Sequence, residues 1–262
     1  MFIFPLEIRS CIYLWLDDLD LALEDPEVFW ALAPQCFRHL TLGQYIAQDK
    51  KLTLSTRLAQ RYPLSGNFVE RLTIIADERS QPLISEWLEK FPPNRKLKHF
   101  ILVDDFDVRE SPFTDLLLNL VSTSPELTRL SFSDYQPSPE VIAACGNNLT
   151  RLDIGNLDPL NVYQHFSLPS RLEVFSFTPW AVNLFLGAPP TSLEVVIIRA
   201  GEFTEFYDPA ICCSFLANCP SLRRLAVDDR CEFFHSFFFF LLTFCSPERK
   251  YPNTTGESKS SN

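Results

Sequence analysis

Glycine is scarce in this chain, with seven in 262 residues. Neither G-x-G-x-x-G nor G-x-x-x-x-G-K-[ST] occurs, and both phosphate cradles need glycine where backbone closes on the ligand. The nucleophile elbow G-x-S-x-G and the zinc helix H-E-x-x-H are also missing. There are four histidines, His39, His99, His165 and His235, standing 60 or more residues apart. That spacing suggests no local metal pair. The eight cysteines include no C-x-x-C, a pattern that suits buried thiols in a reducing compartment better than disulfides or zinc. An enzyme is therefore not expected, nor a cofactor, nor a metal.

Positive charge is scarce as well. The net charge is −10, and no basic stretch is denser than the three residues in four at positions 95–98. Phosphate backbones need clustered Lys and Arg, so no nucleic-acid partner is expected. Long apolar runs are missing too. The most apolar stretch, residues 233–245, is thirteen long and contains His235, whereas a membrane span needs about 20. The opening "MFIFPLEIR" lacks a basic start and a small-residue cleavage site. A cytoplasmic or nuclear location is the expectation.

What the chain does have is one short pattern, written many times. Windows with apolar residues at the first, fourth and sixth places begin at Val69, Leu97, Leu127, Leu149, Leu172, Leu193 and Leu222, 21 to 30 residues apart. Two of them read "LTRLSF" and "LTRLDI". "FRHLTL" from Phe37 fits more loosely. An L-x-x-L-x-L core at about 20 to 29 residues marks leucine-rich repeats. The fourth and sixth places give a short strand with one apolar face, which a single unit cannot bury but a stack can. Unrelated strands of an ordinary α/β domain would have to match seven times by chance.

The expected fold is thus α/β, a leucine-rich-repeat solenoid with a curved parallel sheet and helices or turns on its convex side. It should occupy residues 37–245 as seven to eight irregular repeats, behind a small helical block at 1–36 and before a disordered polar tail at 246–262. Residues 81–97, 113–127 and 210–222 carry helix-length apolar stretches. Pro125 and Pro220 stand where a helix must stop before the next strand. Spacings of 21 to 23 leave room only for a turn or a short 3₁₀ segment, so the middle should be less helical. The Phe-rich stretch 233–245 would cap the last repeat; alternatively this end is altered or truncated, because the next strand never arrives.

Strand positions that point away from the core line the binding face of such a stack. The third place carries Arg71, His99, Arg129, Arg151 and Arg224, the fifth Asp153 and the seventh Arg199. These seven are the candidate target-binding residues. Arginine at the third place in four of seven windows presents planar forks suited to carboxylate or phosphate, so the target would be an acidic or phosphorylated protein. Alternatively, strand-end acids such as Asp77, Asp104, Asp134 and Asp228 neutralise the column from within.

The front block does not follow the repeat. Pro5, Leu6, Glu7, Ile8, Ile12 and Leu16 resemble the opening of an F-box, and Val28, Trp30 and "ALAP" at 31–34 resemble its close. Pro26 departs from the family, which has a continuous helix there. The resemblance implies a substrate receptor of an SCF-type ubiquitin ligase. Pro5, Leu6, Ile8, Ile12, Leu16 and Trp30 would contact a Skp-type adaptor joined to a cullin complex, and the repeats would hold a target protein. A repeat scaffold with a decayed F-box is the alternative.

Overall fold

The computed structural model describes residues 5, 27–28, 31, 34, 38–42, 67–76, 81–89, 96–104, 114–133, 135, 137–155, 165–185, 187–200 and 209–228. Eight strands form one sheet: β1 His39–Leu42, β2 Arg71–Ala76, β3 His99–Asp104, β4 Arg129–Ser133, β5 Arg151–Gly155, β6 Val174–Phe177, β7 Val195–Ile198 and β8 Arg224–Val227. Their order in space equals their order in the chain, and every pairing is parallel. The protein is of the α/β class.

The register follows the sequence windows without a slip. Leu72, Phe100, Leu130, Leu152, Phe175, Val196 and Leu225 lie in one row. All but Leu225 are 0% exposed. A one-residue shift would turn each of these side chains to the opposite face, so burial itself fixes the pairing. The same backbone device recurs at every junction. Glu70 and Arg71 both donate their amides to the Arg38 carbonyl, Lys98 and His99 to that of Glu70, and so on to Arg223 and Arg224 on Glu194.

Helices α1 Gln81–Glu89, α2 Thr114–Ser122, α3 Pro139–Ala144 and α4 Pro209–Ala217 cover one face. Helix α2 buries Leu117, Leu120 and Val121, whose three- and one-residue steps make a single apolar stripe. It ends as Thr123 and Ser124 turn their hydroxyls onto the carbonyls of Asn119 and Leu120, ahead of Pro125.

Helix α3 departs from expectation, since an α-helix fits where the 22-residue spacing left room only for a turn or 3₁₀ segment. It manages in six residues because its N-terminus is preorganised. Pro139 opens it, and the Ser138 hydroxyl accepts from the Val141 amide at 3.3 Å. Val141 and Ile142 are its buried contribution. Between β6 and β7 the connection is the expected 3₁₀ turn, Pro179–Leu184.

The core changes character along the sheet. From β2 to β4 it is mostly aliphatic, built on Leu72, Ile74, Leu102, Leu117 and Leu130. From β6 onward it is aromatic, with Phe175 and Phe177 stacked at 4.7 Å and Phe185 edge-on to Phe175 at 4.8 Å. Phe215 of α4 completes this cluster. Cys145, Cys212, Cys213 and Cys219 are buried, and burial pushes the Cys145 thiol up to about 12. Such thiols pack as small apolar groups.

Candidate open-face site

The other face of the sheet bears no helix among the described residues. Its third-place row reads His39, Arg71, His99, Arg129, Arg151, Val174, Val195 and Arg224 in strict register. Alternation along each strand turns these side chains outward. His39, Arg71, Arg129 and Arg224 are exposed, and His99 and Arg151 half-buried. Above them runs a half-buried shelf of Thr73, Ile101 and Ser131. Arg199, just beyond β7, is exposed as well.

Two parts of this face treat their charge differently. Asp153 on β5 is 3% exposed, the one buried acid among the described residues. Arg151 grips it with two bonds, Nε to Oδ2 at 2.8 Å and an Nη to Oδ1 at 3.1 Å. Arg199 donates to the same Oδ1 at 3.1 Å, reaching over β6 from the end of β7. Three charge-assisted bonds on one carboxylate compensate its loss of water. Beneath that reach lies Ser176, 0% exposed, whose hydroxyl has no hydrogen-bond partner among the described residues. Asp153, Arg151 and Arg199, all candidate target contacts from sequence, thus contact one another. Asp153 has little surface left to offer a partner.

Arg71, Arg129 and Arg224 form no ion pair among the described residues. Neutralisation occurs instead one place earlier. There Glu70 bridges Arg38 at 3.2 Å and Lys98 at 3.6 Å, linking the starts of three adjacent rungs. Arg223 and Glu194 approach to 3.8 Å at the far end. Sequence reasoning missed this second-place row, although its alternation of Arg38, Glu70 and Lys98 is visible once the windows are aligned.

His99 lies between Arg71 and Arg129. Burial, then the positive charges of Arg71 and Arg129, lowers its pKa to about 4; Asp153 opposes and Arg151 adds to the effect. At neutral pH His99 is an uncharged imidazole inside a cationic row. The arrangement can bind an anion. No group of three metal-ligating side chains occurs among the described residues.

Of the candidates on the front block, Pro5 is exposed and Val28 is helical and fully buried. Leu6, Ile8, Ile12, Leu16 and Trp30 lie outside the described residues, as do the Phe-rich stretch and the polar tail. No described helix is long and apolar enough to cross a membrane. Comparison with protein-family models and with curated proteins gives no match for this chain.

Proposed function

We propose that this chain is a leucine-rich-repeat solenoid acting as the substrate-recognition subunit of an SCF-type ubiquitin ligase, with an F-box-like front for a Skp-type adaptor and a target protein held on the open face. The observation that carries the repeat reading is the recurring pair of amide bonds at every junction together with the slip-free apolar row. Purely parallel sheets in doubly wound proteins are covered on both faces. A sheet whose described helices lie on one face, with strands in chain order, fits a stack that displays its other wall.

On this reading the protein does no covalent chemistry. It brings a target near catalytic subunits that it does not itself contain, by apolar contacts at its front and by arginine forks on its face. Pro26, within the front block, favours the second reading, a repeat scaffold that binds partners without the ligase.

Co-purification with the Skp adaptor separates the two. Wild type should retain the adaptor, and Leu6→Asp with Ile8→Asp should release it. Absence of adaptor from the wild-type preparation removes the ligase reading and leaves the scaffold. Target capture is best probed at Arg71 and Arg129, because Arg151 is engaged with buried Asp153.

A further inference from the structure

Arg71, His99 and Arg129 are register partners on three consecutive strands. With strands about 4.8 Å apart, the two arginine Cα atoms lie roughly 10 Å from each other. Each side chain is long enough to lean halfway across that gap, so both forks can meet above the imidazole. Both arginines are exposed and without an ion pair among the described residues, in a protein of net charge −10 that has acids to supply. Glu70 neutralises the neighbouring second-place row, whereas no described acid pairs with Arg71 or Arg129.

We propose that Arg71, His99 and Arg129 hold one phosphorylated side chain of an extended segment in a partner protein. The inference rests on the open face being the target surface, and it fixes the chemistry read there. Charge balance selects the ligand. At Asp153 a single carboxylate already satisfies a fork and one further N–H yet leaves two arginines carrying one net positive charge. A phosphoryl dianion matches two arginines in full and keeps a third oxygen for His99. The half-buried shelf of Thr73, Ile101 and Ser131 continues from the anion position and suits the backbone and small side chains beside the phosphorylated residue.

The test uses the full chain and the peptide acetyl-Val-Ala-phosphoserine-Ala-Val-amide. Titration calorimetry at pH 7.5, where the phosphoserine is a dianion, reads the affinity. The expected result is saturable binding, weakened about tenfold by either Arg71→Gln or Arg129→Gln. The glutamate version of the peptide and inorganic phosphate should both bind more weakly. Equal affinity for the glutamate peptide would overturn the choice of phosphoryl, and equal affinity for inorganic phosphate would overturn the partner segment. Unchanged binding in both arginine variants, with circular dichroism intact, would overturn the site. Adaptor co-purification by these same variants stays normal if only this inference fails, and is lost from wild type if the ligase reading fails.

Discussion

The stretches β2–β4 and β5–β7 share one backbone plan and differ in almost everything attached to it. The first is connected by helices α1 and α2, packs mostly aliphatic side chains around Phe100 and Phe132, and pairs its outward arginines with no described acid. The second relies on short connections and stacked phenylalanines, and ties its outward charges into Asp153. A shared register therefore does not impose a shared role. One stretch keeps its polar surface available, whereas the other uses it to bind rung to rung where the helical layer is thin.

Phe175→Ala should be the most damaging single change, because it empties a 0% exposed site ringed by Phe177, Phe185 and Phe215. A loss of about 3–5 kcal/mol in urea unfolding is expected. A cost under about 1.5 kcal/mol, as for a volume-conserving swap, would mean that the aromatic cluster is loosely packed and the contrast between the stretches overstated.

Asp153→Asn should cost about 2 kcal/mol, less than a fully buried pair because Arg151 and Arg199 keep partial access to water. Arg129→Gln, equally outward on β4, should stay within about 0.5 kcal/mol. Equal effects from the two substitutions would erase the distinction drawn here.

A pH slope should accompany these effects. Unfolded histidine titrates near 6.5, while His99 in the fold stays neutral down to about 4. As pH falls from 6.5 toward 4, the unfolded state gains a proton that the folded state refuses, so stability declines across that window. After allowance for solvent screening of a half-buried group the decline should be about 1–2 kcal/mol. His99→Gln should flatten that part of the profile; an unchanged slope would assign it to other groups.

Much of the sheet was legible in the sequence, because period-two alternation and a bounded spacing both follow from burial. The windows beginning at Val69 and Leu222 were placed by the same rule as the near-identical pair at Leu127 and Leu149, and all seven align in space. Helix α3 was not legible, since the cap at Ser138 and Pro139 made a six-residue helix viable where length alone allowed a turn. The outward columns were legible as columns. The reach of Arg199 over β6 to Asp153 was not, because it depends on a long side chain lying across a strand whose own Ser176 is small.

The doubled acceptor at each junction has a further consequence. Since Arg38, Glu70, Lys98, Thr128, Thr150, Glu173 and Glu194 all use the main-chain carbonyl for it, the device is blind to side-chain identity. Mutation to any residue but proline can therefore rewrite the outward lettering of a rung and leave these bonds in place. Adding or deleting a whole unit would lengthen or shorten the readable line by about one strand width, which gives such a chain a way to match ligands of different span.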